Sequence, residues 1–124
     1  MSDDPPTLLV VDDEARILSA LRRSLRREGW RVLTASTPAE ALRLLDEEPI
    51  DAVLSDHKMP RMSGLDVLEA AAQRRPRAAR ILISGWPDEI PPERLRELGV
   101  RALVPKPWDD AELKRILREA LRNS

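Results

Sequence analysis

The chain has 124 residues, of which 42% are hydrophobic and 35% charged, with a net charge of -1 at pH 7. That length makes one domain, able to bury about two-thirds of the surface its unfolded form would expose. The balanced charge argues against a sequence-independent nucleic-acid binder, which needs a clustered excess of Lys and Arg, and the absence of Cys removes disulfides, thiolate metal sites and cysteine nucleophiles.

The opening residues 1–6 have neither the positive start nor the apolar stretch of a signal peptide and are expected to be disordered, leaving a single domain over 7–123. No run is long enough to cross a bilayer. A cytoplasmic location with no membrane contact is the expectation. The first strand is read over Thr7 to Val11, apolar at consecutive positions as in a strand buried on both faces. Ile17, Leu18, Leu21 and Leu25 then recur at helical spacing, with arginines opposite and Gly29 as the stop.

Trp30 to Ala35 reads as a second strand. Thr37, Pro38 and Glu40 supply an N-cap, a first-turn proline and a capping-box acid for a second helix. A third strand over Ile50 to Ser55 leads into an aperiodic loop, Asp56 to Gly64, and then a helix carrying Leu65, Val67, Leu68 and Ala71. The fourth strand is Arg80 to Ser84. Pro87, Pro91 and Pro92 leave room for only a short helix, Glu93 to Leu98, before a fifth strand at Arg101 to Val104. Asp109 caps the last helix, whose buried stripe is Leu113, Ile116, Leu117, Ala120 and Leu121.

Five strands alternating with five helices predict an α/β fold: a five-stranded parallel sheet, order 2-1-3-4-5, with helices on both faces. Such sheets bind ligands beyond the carboxyl ends of their strands, where the strand order reverses. Asp12, Asp13 and Asp56 stand there, with Ser84 and Lys106 ending the neighbouring strands. Three carboxylates at about 5 Å and an effective dielectric of about 20 repel by on the order of 3 kcal/mol per pair. A cation should join them, and oxygen ligands without His or Cys suit Mg²⁺, with Mn²⁺ as a substitute. An Asp beside such an ion can act as a nucleophile on phosphorus, and Asp56, alone at its strand end, is the candidate acceptor. Ser84 can donate a hydrogen bond to the phosphoryl oxygens and Lys106 can supply a point charge.

These residues resemble the receiver domain of bacterial two-component response regulators from Leu8 to Leu121. The resemblance rests on Val10-Val11-Asp12-Asp13-Glu14, Leu54-Ser55-Asp56, Met59-Pro60 with Gly64, Ile83-Ser84-Gly85, and Lys106-Pro107-Trp108. It implies a flavodoxin-like fold and Asp56 as phosphoacceptor. It implies Mg²⁺ held directly by Asp13 and Asp56 and by the Lys58 backbone carbonyl, with Asp12 acting largely through water. Ser84 and Lys106 would engage the phosphoryl group, and the Lys106-Pro107 bond would be cis. The phosphodonor would be a phosphohistidine on a sensor histidine kinase or phosphotransfer protein. Output would leave through the fourth helix, fifth strand and fifth helix toward an effector domain or downstream protein, with no direct contact to nucleic acid and a monomeric state preferred. The Lys106-to-Asp110 ending resembles receivers joined to enzymatic or signalling outputs.

The chain departs from the family pattern at Leu103, where receivers often carry an aromatic residue three positions before the lysine. Trp86 and Trp108 are candidates for part of its role, with packing at the rim of the site as the alternative. Lys58, two residues after the acceptor, is a candidate for tuning phosphate lifetime, with a solvated surface lysine as the alternative. His57 adjoins Asp56, but successive side chains of a strand point to opposite faces, which takes it off the site. The resemblance implies autophosphorylation and slow hydrolysis without an external product. A rival is a Mg²⁺-dependent phosphatase with an aspartate nucleophile, which would need a second acid where Lys58 stands. Another is a binding module that works without phosphorylation.

Overall fold

A computed structural model describes residues 4–122. The expectation of disorder over residues 1–6 lies partly outside that range, and Pro6, inside it, already accepts a 2.9 Å hydrogen bond from the Arg31 backbone N–H. The strands are β1 (Thr7–Val11), β2 (Arg31–Ala35), β3 (Ala52–Asp56), β4 (Ala79–Ser84) and β5 (Val100–Pro105). They form one parallel sheet in the order β2-β1-β3-β4-β5. The helices are α1 (Ala15–Arg26), α2 (Pro38–Glu47), α3 (Gly64–Arg74), α4 (Pro92–Glu97) and α5 (Asp110–Arg122), with a 3₁₀ turn over Pro87–Glu89 before α4.

Alternation along the strands divides the core into two layers. Leu9, Val11, Val53 and Leu82 face α2 and α3 and pack with Leu45, Leu68, Ile90 and Leu98. Leu8, Val10, Leu54, Ile81 and Ile83 face the other way, against Leu21 and Leu25 of α1 and Leu113 and Leu117 of α5. β1 and β3 are buried along their whole length, as consecutive apolar residues require when helices cover both faces.

The local signals act as the sequence suggests, with four differences. Thr37 Oγ1 accepts from the Glu40 N–H at 3.2 Å, but the Glu40 carboxylate takes the Ser36 N–H at 2.9 Å, one residue before the cap. The reciprocal capping box belongs to α3, where Ser63 and Asp66 satisfy each other's backbone donors. The third strand starts two residues later than Ile50 and includes Asp56, so the acid is a ladder residue paired with Ile83 and not a loop residue. The turn at Pro87–Glu89 has no counterpart in the sequence reading, although a proline followed by two acids is a helix-start composition.

Gly64 explains how the loop after β3 folds back. Its N–H donates to the His57 carbonyl at 2.7 Å, and a Cβ there would lie 2.3 Å from the Asp56 backbone oxygen. Only glycine allows this approach, which fixes the carbonyl at the end of β3. Arg61, in the same loop, adopts a left-handed conformation with φ 73°.

Candidate functional site

The site lies where β1 and β3, adjacent in the sheet, send their chains to opposite sides. Asp12 follows β1 directly, and its N–H continues the ladder to the Ala35 carbonyl at 3.2 Å. Its Oδ1 accepts from the Glu14 N–H at 2.9 Å, an Asx-type bond that turns the chain toward α1. Asp12 and Asp56 are buried and Asp13 is exposed, and each offers a carboxylate oxygen within 4.8 Å of the other two. His57 lies outside this group, with its Nδ1 buried and without a hydrogen-bond partner.

Lys106, one residue past β5, brings the compensating charge. Its Nζ stands 2.9 Å from Asp56 Oδ1 and 3.6 Å from Asp12 Oδ2. Burial works against the ammonium, but the hydrogen bond to Asp56 and the charges of Asp12 and Asp56 outweigh it, so its pKa lies above the ordinary lysine value. Asp12 goes the other way. Burial is the largest cause, repulsion from Asp56 and Asp13 adds to it, and the Glu14 N–H and Lys106 only partly offset them, so its pKa rises to about 6. One ammonium does not balance three carboxylates. That remaining imbalance, with oxygen donors alone, fits a hard divalent cation.

Ser84 ends β4, fully buried, and its Oγ accepts from the Trp86 N–H at 3.0 Å. The hydroxyl keeps its own proton to donate. The Lys106-Pro107 peptide is cis, and the Lys106 N–H bonds the Ser84 carbonyl at 2.9 Å. Leu103 is half-buried against the layer that holds Ile90 and Leu98, and Trp108 packs on the α1–α5 layer. Trp86 is the exposed large hydrophobic residue of the described chain, at 58%. Lys58 sits over its ring, 4.2 Å from the centroid, and pairs with Glu89 at 3.4 Å. Glu89 was not anticipated from the sequence. Its signal, acids after Pro87, is weak because a three-residue turn has no periodicity.

The order of the sheet, the acidic triad at its switch point and the lysine opposite define a flavodoxin-like receiver fold. The family model for the response regulator receiver domain matches residues 8–118. The chain belongs to that family: it is a receiver domain of two-component response regulators, in which a phosphoacceptor switch is the typical role. It is 41% identical over 98% of its length to the hydrogenase transcriptional regulatory protein HoxA of Cupriavidus necator, covering 25% of that protein. To the transcriptional regulatory protein KdpE of Mycobacterium tuberculosis it is 39% identical over 94% of its length, covering 51%. The chain thus spans a quarter to a half of the curated relatives it matches.

Among solved structures, the signal receiver domain of an HD domain-containing protein from Pseudomonas fluorescens superposes with a TM-score of 0.89 at 32% identity, covering 98% of this chain and 90% of that one. A CheY-like receiver domain protein from Methanospirillum hungatei gives 0.87 at 30% identity, covering 95% and 94%. No helix among the described residues is long and apolar enough to cross a membrane.

Proposed function

We propose that this receiver, taken as one domain over residues 7–123, accepts a phosphoryl group on Asp56 from a phosphohistidine of a sensor kinase or phosphotransfer protein in the cytoplasm. The observation that carries this reading is the buried Asp56 carboxylate, 2.9 Å from Lys106 Nζ and grouped with Asp12 and Asp13. An Asp56 oxygen forms the bond to phosphorus while the nitrogen–phosphorus bond of the donor breaks. The electron pair returns to the imidazole, which takes up a proton.

Mg²⁺, or Mn²⁺ in its place, would be held by the Asp13 and Asp56 carboxylates and the Lys58 backbone carbonyl, with Asp12 engaged through water. When bound, the ion neutralises charge shared by the carboxylates and the phosphoryl oxygens. Lys106, 2.9 Å from Asp56 Oδ1, orients that carboxylate before transfer and contacts the phosphoryl group after it. Ser84 turns its free proton toward the same oxygens. The phosphoryl group carries about -1.5 to -2 charge units where the Asp56 carboxylate carried a single negative charge, so negative charge at the site grows and spreads over three oxygens. The response reaches the face of α4, β5 and α5, toward an effector domain or a separate protein, and the domain is monomeric. Slow hydrolysis resets it, with no external product.

Acetyl phosphate with Mg²⁺, followed by intact-mass measurement, tests this reading. One added phosphoryl group, absent without the metal and absent in Asp56→Asn, is the expected result. Incorporation that survives Asp56→Asn would overturn the assignment, and turnover of a generic phosphomonoester would indicate a phosphatase.

A further inference from the structure

The net charge of -1 averages over the whole chain, but the second half of α1 and the residue after it carry Arg22, Arg23, Arg26 and Arg27 and no acid. All four are exposed, while Leu18, Leu21 and Leu25 turn to the core. Among the described residues none of the four has an ion-pair or side-chain hydrogen-bond partner. The acids at hand are engaged by other groups. Glu28 is held by two nitrogens of Arg118 on α5, and that bond keeps its pKa below the ordinary glutamate value. Asp110 accepts from Ser24 Oγ at 3.0 Å and pairs with Lys114 at 3.0 Å, and Arg27 acts on it only through space. Elsewhere basic residues find acids on their own helix: Arg43 with Glu47 on α2, Arg94 with Glu97 on α4, Arg115 with Glu112 on α5.

Arg22 and Arg26, like Arg23 and Arg27, stand four residues apart, about 6 Å along the axis. Like charges at that spacing oppose the helix. Arg23 and Arg26 lie in its last turn, where the dipole favours a cation, but the dipole does not require two adjacent rows of arginine. We propose that this face of α1 binds the phosphate backbone of double-stranded DNA without regard to sequence. The whole-chain charge gave the opposite expectation because it averages over a clustered excess. The proposal goes beyond the phosphoacceptor reading and does not depend on it.

Charge and the make-up of the face select this partner. The other exposed residues of α1 are Ala15, Arg16, Ser19 and Ala20. A protein interface draws most of its affinity from buried aromatic and aliphatic anchors, and a membrane-surface helix from an apolar face sunk among headgroups. α1 offers neither, because its leucines are in the core. A phosphate backbone needs only charge and donors, and a guanidinium meets a phosphate with two parallel N–H bonds. Ser19 and Ala20, one turn before the arginine rows, leave room for a duplex to lie along the helix. No aromatic side chain stands on the face to stack an unpaired base, which favours a duplex over a single strand. Ser19 alone could address a 2′-hydroxyl, which favours DNA over RNA.

The test is the fluorescence anisotropy of a short labelled DNA duplex titrated with the whole chain at several salt concentrations. The dissociation constant should be about 10⁻⁴ M at physiological salt. Log affinity should fall against log salt with a slope of about -3 to -4, as for four neutralised phosphates, a loss of roughly a hundredfold between about 50 and 200 mM. Arg23→Gln combined with Arg27→Gln should bring the slope to about -2. Lysine at the same two positions should keep the full slope, which separates charge from any effect on folding. Arg43→Gln, on α2 across the sheet, should change nothing. A duplex of unrelated sequence should bind within about twofold, since phosphate contacts carry no sequence information. Absence of DNA binding, a slope unchanged by the glutamine pair, or a slope lost with the lysine pair overturns the proposal. Tighter binding to single-stranded DNA or to duplex RNA, or binding to anionic vesicles in place of DNA, overturns the choice of partner.

Discussion

The edge of the sheet that carries the acidic triad and the segment that follows Ser84 are neighbours built on opposite terms. Asp12, Ser55, Asp56 and Ser84 are buried at the ends of strands that are themselves buried. α4, in contrast, has six residues and none of them buried. Ile90 and Leu98 anchor it from either side, and Leu95 packs partly on the same layer. Burial is concentrated in the frame of the site and thin in the segment that, under the proposed function, a change at the site would move. Switching needs this difference, because a ligand shifts an equilibrium only between states that lie within a few kcal/mol of each other.

The largest effect that would break the comparison is expected at Gly64. A methyl group there would meet the Asp56 carbonyl at 2.3 Å, the Leu82 side chain at 2.7 Å and the His57 Cα at 2.8 Å. Two of those three are backbone atoms of the strand end and loop, which cannot rotate away. Gly64→Ala should cost about 3 kcal/mol or more, read as a lowered urea midpoint. A cost below about 1 kcal/mol would mean that the frame yields as easily as α4.

Next in size is a gain. Asp12 has a folded pKa of about 6 against an ordinary value of 3.8, so the folded protein binds this proton more tightly than the unfolded chain. Without metal, stability therefore falls as pH rises from about 4 to 6, and the cost is fully present at pH 7. Asp12→Asn removes the charge and keeps an oxygen for the Glu14 N–H. In EDTA it should stabilise the protein by about 1–3 kcal/mol at pH 7 and by nearly nothing at pH 4. Mg²⁺ should narrow the difference by stabilising the wild type more than the variant. A pH-independent gain would assign the effect to packing.

The two regions also differ in how far the sequence discloses them. Asp12, Asp56, Ser84 and Lys106 were legible because apolar runs stop there, and parallel strands of a doubly wound sheet end on one edge. The cap at Thr37 and the stop at Gly29 were legible for local reasons. The 3₁₀ turn, the engagement of Lys58 by Glu89 and the capping box at Ser63 were not. A three-residue turn has no period, and a contact 31 positions apart in the chain depends on the β3–β4 pairing that brings the two loops together. The acid that replaces Glu at Asp66 hid the capping box, since the expected signature has the longer side chain.

The smallest expected effect concerns the far end of the thin segment. Arg80, at the start of β4, donates from Nε to the Leu98 carbonyl at 2.7 Å and from Nη1 to the Ala78 and Pro76 carbonyls at 3.0 and 3.2 Å. Gly99 lies against it with φ +62°, where a Cβ would come within 2.7 Å of Nη2. One guanidinium thus satisfies carbonyls at the C-terminal end of α4 and in the loop that leads into β4, a role its place at a strand start gives no hint of. Arg80→Met keeps much of the apolar stem and removes the donors, at a cost of about 1–2 kcal/mol for carbonyls that can partly turn to water. The cost should fall unevenly. Amide hydrogen exchange of α4 and the Leu98–Gly99 turn should accelerate several-fold, while β1 and β3 amides keep their protection, because α4 opens below the global free energy. Equal acceleration in β3 would mean that α4 and the site frame unfold as one unit, and a switch built on their difference would then have no separate element to move.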